Sequence, residues 1–150
     1  MTESPSLRLP NAPLGRRALA ILIDVSISML LALAATFLLA VATRSPQPVG
    51  PGAAFVVLLG AALAVHLLAP LRWQATPGMR AVGLKIVADE DLPPQPIQTS
   101  LRGVLAAVTL AGVLPIPFQI ISALLEPDHR SSSDWLSGTR VVLDPDREAA

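Results

Sequence analysis

The stretch that decides the fold is Ala18–Ala42, ALAILIDVSISMLLALAATFLLAVA. It carries a single charge, Asp24. A bilayer core about 30 Å thick is crossed by roughly 20 apolar residues in a helix, so this run is long enough to span. A second run follows, Ala53–Leu71, AAFVVLLGAALAVHLLAPL, with one histidine, His66. Between them, Thr43–Gly52 holds Arg44, Pro46, Pro48 and Pro51. A short connection rich in turn residues folds two spans back on each other as a hairpin.

The rest of the chain agrees with a membrane protein. Of 150 residues, 52% are hydrophobic and 15% charged, against about 25% charged in a usual soluble domain. The net charge is +0, which gives no reason to expect nucleic acid as a partner. There is no cysteine, which rules out disulfides and thiolate metal sites. His66 and His129 do not make a zinc site without carboxylate ligands. No paired nucleophile and base and no phosphate loop is present, so neither an enzyme nor a cofactor is expected. The expected partners are the lipid bilayer and either a second copy or other membrane subunits.

A third apolar stretch, Gly103–Leu125, is interrupted by Pro115 and Pro117. Proline inside a helix removes a hydrogen bond and clashes with the preceding turn. Two apolar pieces of about eleven residues have the length of re-entrant or interfacial segments; one kinked span is the alternative. Basic residues favour the cytoplasmic side. With the N-terminus inside, a crossing stretch leaves seven of the eleven basic residues inside, and a returning one leaves ten. The returning arrangement is therefore expected.

Two short runs flank that stretch: Gly83-Leu84-Lys85-Ile86-Val87 and Gly138-Thr139-Arg140-Val141-Val142. Both are β-branched runs opened by glycine, which read as strands. They would pair on the cytoplasmic side. Asp89-Glu90-Asp91 with Pro93, Pro94 and Pro96 reads as a solvated turn. The fold class expected is thus an all-α membrane protein: a two-helix transmembrane hairpin, a Pro-broken third apolar segment and a short cytoplasmic β-hairpin-like pair. Residues 1–13 and 144–150 read as disordered tails around a membrane domain, 14–143.

A competing reading treats Arg16-Arg17 and Ala40-Val41-Ala42 as a cleavable twin-arginine signal. The apolar run is longer than the 7–15 residues of a usual signal core, and a second span follows it. A mature protein beginning at Thr43 would favour cleavage.

The ionisable groups within the spans are the informative ones, since a buried charge in a membrane costs about 2.5–3.5 kcal/mol on insertion scales. Asp24 lies seven residues after Arg17 and shares a helix face with it. Ala20, Asp24, Ser28, Ala32, Thr36 and Ala40 recur every four residues and form a small, polar stripe. Such a stripe admits a close helix neighbour; an ion or proton path along it is the alternative. His66 lies six residues before Arg72, at a depth like that of Asp24, and is the expected partner of that carboxylate. A His66 bonded to a backbone carbonyl is the other reading.

Three segments together resemble the RDD family of bacterial membrane proteins, named for one arginine and two aspartates. The first is Gly15-Arg16-Arg17 through Ile23-Asp24, with Arg17 and Asp24 in the matching places. The second is Thr76-Pro77-Gly78-Met79-Arg80 through Gly83-Leu84-Lys85-Ile86-Val87. The third is Ser133-Asp134-Trp135-Leu136-Ser137-Gly138-Thr139, where Asp134 matches the second aspartate. The chain departs from the family at Met79, Ser133 and Ser137, where a basic residue, a histidine and an alanine are usual. The resemblance implies a multi-pass protein of the bacterial inner membrane, and the distribution of basic residues puts its N-terminus in the cytoplasm. It leaves the molecular role open between an accessory or structural subunit and an ion or small-solute transport component, of sodium/proton type, centred on Asp24.

Two local expectations complete the reading. Thr76-Pro77-Gly78 suits a type II turn, with glycine at positive φ. Asp134 is expected to pair with Arg16, Arg17, Arg72 or Arg80, tying the C-terminal segment to the hairpin; a solvated carboxylate capping a turn is the alternative.

Overall fold

The computed structural model describes residues 9–44, 50–110 and 130–145. Pro115 and Pro117, and with them the expected break in the third apolar segment, lie outside the described residues. The described chain is mostly helical, with one two-stranded sheet.

Helix α1, Leu14–Thr43, extends the first apolar run by four residues at its N-terminus. Arg44 ends it in the left-handed conformation, where its N–H reaches the Val41 carbonyl. The second run becomes Pro51–Trp73, and both helices are long and apolar enough to cross a membrane. Pro51 starts it at the first helical position, where a missing N–H costs nothing. This second helix has three parts: α2, Pro51–Leu63; a π-helical turn, Ala64–Leu68, centred on His66; and α3, Ala69–Trp73.

The face that α1 packs is the small-residue stripe. Arg17, Ala20, Asp24 and Ser28 are buried, and Ala32, Thr36 and Ala40 are half-buried. The large side chains point outward, with Leu22 64%, Leu30 65% and Phe37 69% exposed. Those exposed rows of Leu and Phe are what a lipid-facing helix requires and a water-facing helix avoids.

Beyond Trp73 the chain builds a compact cap at the Arg17 end of α1. Helix α4, Pro77–Ala81, leads into β1, Leu84–Ala88. Helix α5, Pro96–Leu110, lies against α2 and the π turn. Helix α6, Ser132–Ser137, leads into β2, Thr139–Leu143. The strands pair antiparallel, Leu84 opposite Leu143 and Ala88 opposite Thr139. Gly83 and Gly138, each one residue before its strand, adopt φ of +69° and +62°, which explains the glycine that opens both runs. A small apolar core of Ala12, Ala20, Ala75, Met79, Leu84, Ile86 and Val141 joins this sheet to α1.

Several expectations change here. Thr76-Pro77-Gly78 is a helix start, not a type II turn. Thr76 is the N-cap, its Oγ accepting the Met79 N–H at 3.2 Å, and Pro77 is the first helical residue. Gly78 is not among the positive-φ glycines. Its need for glycine is steric, because a Cβ there would strike the Ala20 carbonyl oxygen and crowd the Asp24 carboxylate. The first residues of the third apolar stretch lie inside a helix that opens at Pro96, so Arg102, just ahead of the apolar run, is within the helix.

The acidic turn is not simply solvated. Asp89 pairs with Arg130, and Asp91 with Arg140. Nor do Leu9–Pro13 behave as a free tail. Asn11 bridges Val142, the Ala12 N–H donates to the Val141 carbonyl at 3.0 Å, and Arg140 donates to the Leu9 carbonyl and to Asn11. The open edge of β2 supplies the hydrogen-bonding groups that hold this segment. At the other end Asp144 lies 3.7 Å from Lys85 and donates its N–H to the Gly83 carbonyl.

Candidate functional site

The polar residues that the spans bury converge on the junction between α1 and the cap. Arg17, in the first turn of α1, reaches the Asp134 carboxylate at 3.6 Å and donates to the Val141 carbonyl at 2.9 Å. It thus joins both α6 and β2 to the first helix. Arg102, on the buried face of α5, donates from Nε to Asp134 Oδ1 at 2.7 Å. Asp134 is 1% exposed, Arg17 9% and Arg102 7%. A carboxylate held between two guanidinium groups at such burial is a desolvated ion cluster, in which each charge depends on the others.

Asp134 has a second duty. It is the third helical residue of α6, and Ser131 is the N-cap. The Ser131 Oγ accepts the Asp134 N–H, and the Asp134 carboxylate accepts the Ser131 N–H, both at 3.3 Å. This reciprocal capping box satisfies two helix-terminal donors. Burial alone would push the Asp134 pKa up. Arg102 first, then Arg17, with the hydrogen bonds of Arg102 and Ser131, outweigh burial and hold it below the usual carboxylate range.

Asp24 is satisfied by a different element. Thr76 donates its hydroxyl to Asp24 Oδ2 at 2.6 Å, and the Gly78 N–H donates to Oδ1 at 2.7 Å. Both are lengths of charge-assisted bonds. The Thr76 hydroxyl simultaneously caps Met79, so a chain of bonds runs from α1 into the first turn of α4. Asp24 in effect anchors the start of α4 from another helix, and the absent side chain of Gly78 lets it approach.

The expected Asp24–His66 pair does not form. Both oxygens of Asp24 have the partners just described, and His66 Nε2 is buried with no hydrogen-bond partner among the described residues. His66 instead occupies the π turn where α5 crosses. A Cβ on Gly103 would strike the His66 carbonyl oxygen, so the two backbones touch there. A π turn widens the helix locally, and such turns collect at special sites. Ser28 is also fully buried, its hydroxyl without a partner among the described residues.

Of the four arginines expected to meet Asp134, the structure brings Arg17. Arg16 and Arg72 are exposed, and Arg80 stacks over the Trp73 ring at 4.9 Å. Sequence reasoning misses Arg102 as a partner. The signal that points to it is its place on the buried face of α5, one turn past Thr99 and beside Gly103. With Arg102 included, two cations and two carboxylates balance formally within the junction. Among the described residues no group of three or more His, Asp or Glu is placed to hold a metal.

A family model described as the RDD family matches residues 11–138. The chain belongs to the RDD family. The matched span begins at Asn11, on the segment that adds to β2, and ends at Gly138, the left-handed residue before that strand. In this RDD protein the three residues expected to carry the family's signature do not meet in one cluster. Arg17 and Asp134 are partners, whereas Asp24 belongs to the Thr76–Gly78 helix start. No curated protein and no solved structure gives a significant match.

Proposed function

We propose that this RDD protein is a multi-pass protein of the bacterial cell membrane acting as a structural or accessory subunit, with its N-terminus cytoplasmic. One observation carries the reading. Both signature aspartates have their carboxylate oxygens engaged by the protein itself, Asp24 by Thr76 and Gly78, Asp134 by Arg102, Arg17 and Ser131. Groups held in this way lock a cap onto a helical pair, and the role that follows is to present that cap and the hairpin as one rigid unit.

The orientation rests on charge. Arg16, Arg17, Arg72, Arg80 and Lys85 gather at one end of the hairpin, and Arg44 stands at the other. Basic residues near span ends favour the cytoplasm. The antiparallel pairing of β1 and β2, with Arg130 on Asp89, holds both flanks of residues 103–125 at that same end. This supports a stretch that enters the membrane and returns to the side it left.

The test is Asp24→Asn in the full-length protein, purified in mild detergent together with whatever subunits accompany it. The structural reading expects loss of a monodisperse species or of its co-purifying subunits. A variant that assembles like the wild type yet abolishes a salt-tolerance or ion-flux phenotype would overturn it in favour of transport.

A further inference from the structure

An apolar groove of about 290 Å³ runs along the outer surface between α1 and the second helix. Its walls include Ile27 and Leu31 on one side and Ala64 and Leu68 on the other, and it ends at Arg72 and Trp73. We propose that this groove binds one anionic phospholipid of the leaflet at the Arg72 end, the acyl chain along Leu68 and Ala64 and the phosphate at Arg72. The proposal rests on the reading that the two helices cross a bilayer.

Depth supports a lipid chain. Leu68 and Ala64 precede Arg72 by four and eight residues, about 6 and 12 Å along a helix. Half of a hydrocarbon core is about 15 Å, so the groove has the reach of one leaflet. Its volume is near the lower end for ligand pockets, roughly 300–1,000 Å³, suited to a narrow chain rather than a bulky ligand. Leu68 is 62% exposed and Trp73 50% exposed, so the groove opens sideways, where lipid would lie.

Charge selects the headgroup. Arg72 is exposed and has no ion pair or hydrogen bond among the described residues. Trp73 beside it is braced by Arg80, whose guanidinium lies 4.9 Å from the ring centroid. An aromatic ring at the interface with two arginines around it makes a site for a phosphate that carries net negative charge. A second copy of the chain is a poorer occupant. The two spans contain one acidic residue, Asp24, which is buried and bonded, and in the cap Asp89, Asp91 and Asp144 already pair with Arg130, Arg140 and Lys85, so a neighbouring copy offers Arg72 less negative charge than an anionic headgroup does.

The experiment uses the full chain in mild detergent and native mass spectrometry, with phosphatidylglycerol and phosphatidylcholine added at equal concentration. Phosphatidylglycerol should be retained preferentially. Arg72→Gln should lower its occupancy about fivefold, the worth of one basic residue at an anionic surface. Leu68→Trp, which fills the groove, should lower it as well, and Leu33→Trp, at an exposed position that does not line the groove, should not. Equal retention of the two lipids would overturn the proposal. So would unchanged binding in either Arg72→Gln or Leu68→Trp, or the same retention with glycerol phosphate, which has no acyl chain. Circular dichroism of each variant shows that it is folded. Carbonate-resistant fractionation with membranes tests the spanning reading separately, and its outcome does not depend on lipid preference.

Discussion

Arg102 Nε sits 2.7 Å from Asp134 Oδ1, joining the middle of α5 to the first turn of α6 across 32 residues of chain, with both side chains more than nine-tenths buried. The bond closes the cap: without it, α6 and β2 are held to the helices by Arg17 alone among the charged groups of the cluster. Removing one partner of a buried pair leaves the other charge desolvated and unpaired, at a cost of about 3–5 kcal/mol. Arg102→Gln and Asp134→Asn should each lower stability in detergent by that order, and Arg17→Gln by less, given its longer 3.6 Å contact. Thermal or denaturant unfolding of the three variants checks the order. The double variant Arg102→Gln/Asp134→Asn should be less destabilised than the sum of the singles.

The Asp24–Thr76 bond predicts a hydroxyl dependence. Thr76→Val preserves shape but removes both the donor to Asp24 and the cap of Met79, leaving buried groups unsatisfied at about 1–3 kcal/mol. Thr76→Ser keeps both bonds and should stay close to wild type. Equal stability of Val and Ser variants would show that the bond contributes nothing.

Two glycines should resist alanine for steric reasons, and a third should accept it. A Cβ at Gly78 meets the Ala20 carbonyl oxygen, and one at Gly103 meets the His66 carbonyl oxygen, so helix backbones must part. Overpacking of this kind costs roughly 1–3 kcal/mol or more. Gly60 has nothing within 4 Å of an added Cβ, and Gly60→Ala should be neutral or stabilising. Melting temperatures of the three variants in one detergent make the comparison.

Acid should loosen the cap through Asp134. Its pKa is held below the value near 3.9 of an unfolded chain. A depressed carboxylate adds stability that is fully present above that unfolded value and is lost as pH falls through the folded one. Unfolding measured from pH 6 down to pH 3 should therefore show a fall in stability below about pH 4. Asp134→Asn, already weaker at pH 6, should lose less over the same range.

The absence of cysteine makes topology directly measurable. Glu90→Cys and Pro145→Cys flank the third apolar stretch at exposed positions, and Arg44→Cys lies at the far end of α1. A membrane-impermeant maleimide applied to intact cells should label the Arg44→Cys variant alone, and after lysis all three. Labelling of the Pro145→Cys variant from outside would mean that residues 103–125 cross.

Much of the helical pair is legible in the residues. Helix length and the outer rows of Leu and Phe are local properties, and the stripe from Ala20 to Ala40 follows from spacing alone. The strand pair was legible for the same reason, because glycine before a β-branched run is a local signal repeated twice. Less legible was the Thr76-Pro77-Gly78 segment. The same three residues suit a turn or a helix start, and the choice falls to the helix because Asp24 accepts from Thr76 and Gly78.

The sequence by itself determined two long apolar helices, the first with a small, polar stripe, and that Arg17, Asp24 and Asp134 are the charged positions worth following. It could not determine which charge meets which. Pairing depends on where α5 crosses the π turn at Gly103 and on where β2 docks, contacts between residues tens of positions apart in the chain. Only the tertiary structure separated Asp24 from His66, gave it to Thr76 and Gly78, and placed Arg102 on Asp134. The physical reason is that a buried charge must be satisfied, while the chain leaves several candidates at similar depth and packing alone brings one of them within bonding distance.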